Sequence, residues 1–218
     1  MNVIAICAHP DDIEINCAGT LLKHVAQGDK VVMVSVSDGG TTNYEREIVR
    51  SSETAVSEAK KAALIIGAKL YVLNYKALDI PYNHEIISEL ESLITKHDID
   101  IVYTHWHSHT NQDHRRVSRS VLAAARCVNR VLMWEEGIPH SLCFSGFNPQ
   151  LYVDVTEHMD KKIEAIRAHE SQVEKYAEDI VDAITARARY RGYQMRVRYA
   201  ECFEVSKLTN EGFSEKRL

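Results

Sequence analysis

Short apolar runs alternate with segments of helical periodicity along most of the chain, and this alternation limits the fold more than any other feature. The helical segments include residues 19–28 and a helix that starts at Ser51 or Ser52 and runs to Ile66, before Gly67. Strands that alternate with helices predict βαβ units, hence a mostly parallel sheet with helices on both faces. The predicted strands are residues 3–8, 31–36, 69–74, 100–104 and 131–134.

The last third of the chain departs from this alternation. Thr156 is placed to cap a helix, Gly192 is placed to end a later one, and residues 197–205 have the pattern of a final strand. A chain of 218 residues suits one domain. We therefore expect a single α/β domain over residues 1–218, with the C-terminal part as an α/β elaboration.

Composition excludes several classes of protein. Apolar residues make up 45% and charged residues 26% of the chain, as in ordinary globular proteins. The net charge of −5 gives no overall attraction to nucleic acid or anionic membranes. No stretch has the length of a membrane span, and the first residues lack the features of a signal peptide.

The five cysteines are odd in number and share no close pair spacing, which predicts reduced thiols and a cytoplasmic protein. The sequence does not define an oligomeric state, and a homo-oligomer is compatible with it.

Two polar clusters follow predicted strands directly. The first is Ala-His-Pro-Asp-Asp at residues 8–12, and the second spans residues 104–114 and contains four of the 11 histidines. Parallel strands place their carboxyl ends at one edge of a sheet, where open α/β folds bind ligands. We therefore expect the two clusters to meet there.

Histidine and aspartate together supply the ligands that zinc and related divalent metals take. One turn can aim His9 and Asp12 at one point, and a third ligand from the second cluster would leave a position open for water. Asp11 would then be free to act as a base. Alternatively, the first cluster is a strand exit whose aspartates cap the next helix, and the second is a solvated or supporting loop. The ligand set also suits Fe²⁺, Co²⁺ or Ni²⁺.

These motifs resemble the LmbE/PIG-L family of metal-dependent N-deacetylases. The segment 8–14, Ala-His-Pro-Asp-Asp-Ile-Glu, is similar to the first family signature, and Asn-Gln-Asp-His-Arg at 111–115 is similar to the second. Weaker similarity continues at residues 153–156, 162–172, 189–192 and 199–203, so it spans nearly the whole chain. The resemblance implies a Rossmann-like fold and the removal of acyl groups, usually acetyl, from amino sugars or related glycoconjugates.

Carried over by position, the resemblance makes His9, Asp12 and His114 the zinc ligands and Asp11 the general base. It alone selects His114 over the other histidines of the second cluster. The implied partner is a small acylated amino sugar, with no nucleic acid. Ester or phosphoester hydrolysis at the same site, or a binding module without turnover, are the alternatives.

The chain departs from the family pattern at two positions. Many relatives have a histidine at the position of Asn111, which can donate a hydrogen bond to an oxyanion but cannot carry a proton. Proton delivery is then expected from Asp11 or from His107, His109 or His169. Ala18 replaces the first of two usual glycines, which we expect to tighten a loop near the metal.

Other residues are weaker candidates for substrate binding. Asp38 ends a strand before two glycines, where a simple turn residue is equally expected. Arg50 precedes a predicted helix and is either a substrate ligand or solvated. His107, His109 and His169 complete the set, His169 being alternatively a structural histidine. Trp106 could stack on a sugar, whereas Trp134 is expected in the core. The arginines at positions 187, 189, 191, 196 and 198 are either a phosphate site or a salt-bridged face.

Overall fold

The computed structural model describes residues 1–43, 45–137 and 146–209. The strands are β1 (Asn2–Cys7), β2 (Lys30–Ser37), β3 (Thr41–Thr42), β4 (Ile48–Arg50), β5 (Lys69–Tyr75), β6 (Ile101–Thr104), β7 (Arg130–Trp134), β8 (Leu151–Asp154) and β9 (Ala200–Leu208). The helices are α1 (Asp12–Ala26), α2 (Ser52–Ile66), α3 (His84–Lys96), α4 (Gln112–Ala124), α5 (Met159–Arg167), α6 (Glu170–Tyr176) and α7 (Asp179–Met195), with a 3₁₀ turn at Thr156–His158.

Seven strands form one mixed sheet in the order β5-β2-β1-β6-β7-β9-β8. The first five of these run parallel, and β9 pairs antiparallel with both β7 and β8. Strand β1 lies inside the sheet and pairs with β2 and β6 along its length. The predicted mostly parallel α/β fold is thus confirmed, and the antiparallel strands belong to the C-terminal elaboration.

Two apolar layers cover the sheet, as the alternation of side chains along β1 requires. Val3, Ala5 and Cys7 face the layer that contains α1, α2 and α5. Ile4 and Ile6 face the layer that contains α3 and α4. Because both faces of β1 are buried, its sequence is a continuous apolar run, which is typical of a parallel strand inside a sheet.

Local signals set both ends of α2, as expected, and the start of α3. Ser51, not Ser52, caps α2, because its Oγ accepts a hydrogen bond from the Thr54 amide at 3.1 Å. Gly67 ends this helix at φ 82°, in the left-handed region. Asn83 caps α3 by accepting from the Ile86 amide at 3.2 Å.

Helix α1 begins at Asp12, seven residues before the predicted start at residue 19. The prediction was wrong because Asp12, Glu14 and Asn16 obscure the apolar periodicity of the first two turns. All three side chains are buried and have polar partners at the sheet edge rather than contact with solvent. Ala18 therefore lies inside a helix, and no loop is tightened there.

The C-terminal third also differs in detail from the prediction. Gly192 does not end α7, which continues to Met195. A Cβ at this glycine would lie 2.7 Å from the Arg198 carbonyl oxygen, so glycine is needed for close chain contact instead. Ala177, at φ 53°, separates α6 from α7. The final strand β9 spans 200–208 rather than 197–205, and β8 was not predicted.

Cys7, Cys17, Cys127 and Cys202 are free thiols, while Cys143 lies outside the described residues. Among the helices of the described ranges, none is long and apolar enough to cross a membrane.

Candidate active site

The two polar clusters meet at the carboxyl edge of the parallel strands, as predicted. His9 follows β1, His105 follows β6 and Glu136 follows β7. A cleft of about 200 Å³ opens at this edge. Its lining includes His9, Asp11, Asp12, Arg50, Asn111 and His114, together with Gln172, Lys175 and Tyr176 of α6.

Three side chains, those of His9, Asp12 and His114, bring donor atoms close together in the cleft. Asp12 places one oxygen 3.5 Å from His9 Nδ1 and the other 3.4 Å from His114 Nε2. The two histidine nitrogens are themselves 3.2 Å apart. Donors about 2.0–2.1 Å from a tetrahedral ion lie roughly 3.3–3.4 Å from one another, and each of these three spacings is close to that value. The fit also matches the chemistry of two imidazoles and one carboxylate.

Asp113, which the sequence analysis had not singled out, orients His9. Its fully buried carboxylate lies 3.1 Å from His9 Nε2 and accepts the Leu78 amide at 2.6 Å. With Nε2 bonded to a carboxylate, His9 presents Nδ1 to the cleft. A carboxylate on the ring nitrogen that does not bind metal is usual for a metal-binding histidine. Burial lowers the pKa of His9, but Asp113 and Asp12 outweigh it and raise that pKa to about 10.

Glu136, also not singled out from the sequence, contacts two histidines of the second cluster. Its carboxylate is 2.6 Å from His105 Nδ1 and 3.5 Å from His114 Nδ1. Burial raises the pKa of Glu136, yet its interactions with His105 and His114 bring that pKa well below the ordinary range. Likewise, burial raises the pKa of Asp12, and the same two imidazoles bring it well below its usual range.

Asp11 lies beside the ligand set without belonging to it. Its backbone has φ 128°, a conformation rare for a residue with a side chain, and the side chain lines the cleft. Burial, followed by the neighbouring charge of Asp12, raises the pKa of Asp11 to about 6. A carboxylate with this pKa can exchange a proton near neutral pH.

Arg50 anchors this turn from the end of β4. Its guanidinium donates to the Pro10 carbonyl at 3.1 Å, to Asp11 Oδ2 at 3.4 Å and to Glu58 at 2.7 Å. It also lies 3.2 Å from His169 Nδ1. The side chain is buried, so Arg50 is not the solvated residue that the sequence left open.

Residues 4–125 match the family model described as PIG-L, GlcNAc-PI de-N-acetylase. This match covers more than half of the chain and includes all three converging side chains and Asp11. The chain belongs to the PIG-L family.

Two similar proteins in this family share a named activity. A diacetylchitobiose deacetylase from Thermococcus kodakarensis is 29% identical over 218 residues, covering 91% of this chain and 80% of that protein. The N,N'-diacetylchitobiose deacetylase of Pyrococcus horikoshii superposes with a TM-score of 0.76 at 24% identity, over 94% of this chain and 83% of that one.

A third similar structure has another activity. The 4-carboxy-2-hydroxymuconate hydratase from Pseudomonas putida superposes with a TM-score of 0.83 at 19% identity, over 100% of this chain and 99% of that one. At this identity the likeness shows the fold alone. A PIG-L-type fold therefore does not decide the reaction, and the residues in the cleft must.

In this PIG-L chain, Asn111 lines the cleft and caps α4. Its Oδ1 accepts from the Asp113 amide at 2.9 Å. The cap fixes the side chain and leaves the amide nitrogen as the group available to a ligand.

The remaining candidate histidines lie at different depths. His109 is fully buried and stacks on His114, with ring centroids 4.8 Å apart; burial is the main cause that lowers its pKa to about 4. His169 is also buried and lies 3.3 Å from Glu14 and 3.2 Å from the Arg50 guanidinium. His107 is exposed and outside the cleft lining.

Asp38 and the tryptophans have local partners. Asp38 accepts from the Gly40 amide at 3.1 Å and from Ser52 Oγ at 2.9 Å, so both of its oxygens are engaged next to the cleft. Trp106 is buried and donates to Glu204 at 3.0 Å. Trp134 is fully buried in the core, as expected.

Part of the arginine run forms a salt-bridged face. Arg187 donates to the Ile15 carbonyl inside α1 at 2.8 Å, and Arg191 forms two contacts with Glu135. These arginines therefore connect α7 to the elements that carry the site.

Proposed function

We propose that this chain is a zinc-dependent hydrolase that removes the N-acetyl group from an amino sugar or a related glycoconjugate. The observation that carries the proposal is the convergence of His9, Asp12 and His114 in an open cleft, beside the unligated carboxylate of Asp11. Three protein ligands with room beside them are typical of catalytic rather than structural zinc sites.

In this proposal His9 Nδ1, Asp12 and His114 Nε2 hold the ion. A divalent metal at this position supplies a Lewis acid that polarises the amide carbonyl and makes water more acidic. Zinc is proposed first because two imidazoles and one carboxylate are common zinc ligands, although Fe²⁺, Co²⁺ and Ni²⁺ suit the same donors.

Asp11 is the general base in this mechanism. Its carboxylate takes a proton from water as the water oxygen attacks the acetyl carbon, forming a C–O bond. Arg50 donates to the Pro10 carbonyl and to the Asp11 carboxylate, so it holds the base toward the cleft. With its pKa raised to about 6, Asp11 is still mostly ionised at neutral pH and is more basic than an ordinary aspartate, so it can accept the proton.

Asn111 and Asp11 complete the reaction. The Asn111 amide donates a hydrogen bond to the oxyanion that develops on the acetyl oxygen. Because asparagine cannot carry a proton, protonated Asp11 delivers its proton to the departing nitrogen as the C–N bond breaks. The products are acetate and a free amine. His107 is exposed, and His109 and His169 are buried away from the cleft lining, which favours Asp11 for this step.

The substrate class is inferred from the similar proteins. Diacetylchitobiose deacetylases act on acetylated amino sugars by name, and the open cleft can admit a sugar with its substituents. The four described free thiols agree with a reducing compartment, so we propose a cytoplasmic enzyme.

The test is hydrolysis by the zinc-loaded protein of N-acetylglucosamine, diacetylchitobiose and a nucleotide-linked N-acetyl amino sugar. Equal release of acetate and free amine, absent from His114→Ala, is the expected result. An O-acetylated sugar and a phosphomonoester are tested in parallel as alternative substrates. If only these are cleaved, the chain is an esterase or phosphoesterase; if none is cleaved while zinc is bound, turnover is absent.

A further inference from the structure

We infer that Glu136 is a positioning residue that fixes His114 and Asp12 in the geometry needed to bind metal, acting through two imidazole rings. The inference rests on the metal site of the proposed function and concerns a residue outside the ligand set. Glu136 is the second residue after β7, and its side chain is only 1% exposed.

The first link runs through His114. Glu136 lies 3.5 Å from His114 Nδ1, while His114 Nε2 faces Asp12 and His9. Within the described ranges, His114 Nδ1 makes no hydrogen bond, so the Glu136 carboxylate at 3.5 Å is the charged group that faces it. A carboxylate on that side favours the tautomer with its proton on Nδ1, which leaves the Nε2 lone pair for the metal.

The second link runs through His105. The Ala8 amide donates to His105 Nε2 at 2.8 Å, so the ring proton lies on Nδ1 and is donated to Glu136 at 2.6 Å. This bond holds the His105 ring against the His114 ring, with centroids 4.0 Å apart. Nε2 of the same ring lies 3.3 Å from Asp12 Oδ2, so the position of the ring borders that carboxylate.

A third contact connects Glu136 to the helix that carries Asp12. Asn16 Nδ2 donates to the Asp12 carbonyl at 2.8 Å and lies 3.5 Å from Glu136 Oε2. One carboxylate at the end of β7 thus touches two rings and a side chain of the first turns of α1. Through these contacts Glu136 connects Asp12 on α1 with His114 on α4, two ligands that are far apart in the sequence.

The adjacent residue provides a matched control. Glu135 follows the same strand, is largely buried and pairs with Arg191, but it contacts none of the ligands. Replacing either glutamate by glutamine removes one buried charge at nearly constant volume. The two variants therefore separate a role toward the metal from a general role in stability.

The experiment measures zinc affinity by competition with a chromophoric chelator, using the full chain and no substrate. We expect Glu136→Gln to bind zinc roughly 10–100-fold more weakly, the usual effect of losing an outer carboxylate, and Glu136→Ala to bind more weakly still. Glu135→Gln should keep the affinity of the unmodified chain, even where its thermal unfolding shifts.

Several outcomes would overturn the inference. Unchanged zinc affinity in folded Glu136→Gln and Glu136→Ala would show that the carboxylate does not position the ligands. Two zinc ions per chain, falling to one in Glu136→Gln, would make Glu136 a ligand of a second ion. Equal losses in Glu135→Gln would assign the effect to stability. A chain that binds one zinc but releases no amine contradicts the proposed function and leaves this inference standing.

Discussion

Replacing Asp11 by asparagine removes the proposed base while keeping its shape. Asparagine tolerates positive φ better than most residues, so the unusual backbone at φ 128° should persist. Its side-chain oxygen can still accept the hydrogen bond from Arg50. We therefore expect Asp11→Asn to fold, to bind substrate and to keep its metal, but to lack a group that can take a proton.

The expected loss follows from what else the cleft contains. Asp11 and Asp12 are the carboxylates among its lining residues, and Asp12 is already engaged by the rings of three histidines. No second carboxylate of the lining is free to replace Asp11. General-base catalysis contributes about 10²–10⁴ in rate, so kcat should fall by that factor. This corresponds to an activation free energy that is about 3–5 kcal/mol higher.

The assay is steady-state release of free amine, with metal content determined by elemental analysis on the same preparation. The expected pattern is a lower kcat, a nearly unchanged KM and full metal occupancy. Loss of the metal would make Asp11 a ligand and would refute the separation of roles between the two aspartates. Full activity with the metal retained would mean that another residue is the base.

Three further changes test other parts of the site. His114→Ala should lose most of its bound metal after dialysis, and full retention by elemental analysis would refute its assignment as a ligand. Asn111→Ala should lower kcat by about 10²-fold or more if its amide stabilises the oxyanion, whereas an unchanged hydrolysis rate would make it a bystander. Glu58→Gln should lower the free energy of unfolding at pH 7 by about 1–3 kcal/mol, because Glu58 accepts hydrogen bonds from Arg50 and Ser171. Burial raises the pKa of Glu58, but these bonds bring it below the ordinary 4.5. Their stabilisation is therefore present above pH 4.5 and is lost as the pH falls through the lowered pKa. In chemical unfolding, the free energy of unfolding of the variant should decline less on the acid side than that of the unmodified chain.

The sheet could be predicted because parallel strands inside it are buried on both faces. That burial makes residues 3–8 and 31–36 continuous apolar runs, which stand out in any sequence. The strand ends then located the two polar clusters, and chemistry assigned His9, Asp12 and Asp11 their proposed roles. The selection of His114 needed the family resemblance, because four histidines share one short segment.

Glu136 and Asp113 could not be selected in the same way. Each contacts a histidine from a distant part of the chain: Asp113 meets His9 and Glu136 meets His105. Sequence spacing carries no information on such contacts, and 31 acidic residues offer many equivalent candidates. The available signal was position, since Glu136 lies two residues after the end of β7, at the edge where the other site residues lie.

Buried charge also explains the misplaced start of α1. Periodicity analysis assumes that polar residues face solvent, yet Asp12, Glu14 and Asn16 point into the protein. The same assumption would place Glu201 at the surface, yet Glu201 is buried and its carboxylate accepts hydrogen bonds from the Gly19 and Thr20 amides within α1. Sequence patterns therefore fail where a helix carries the chemistry, because its polar face is turned inward there.

The fold that this chain shares with both a deacetylase and a hydratase leaves the reaction to a few cleft residues. With Asn111 in place of a histidine, one residue that could carry a proton has been removed from the cleft. His109 and His169 are buried behind it and His107 is exposed, so the proposed mechanism uses Asp11 twice, first as base and then as acid. It follows that the contacts which hold Asp11, from Arg50 to the Pro10 carbonyl and to the carboxylate itself, affect both proton transfers rather than one.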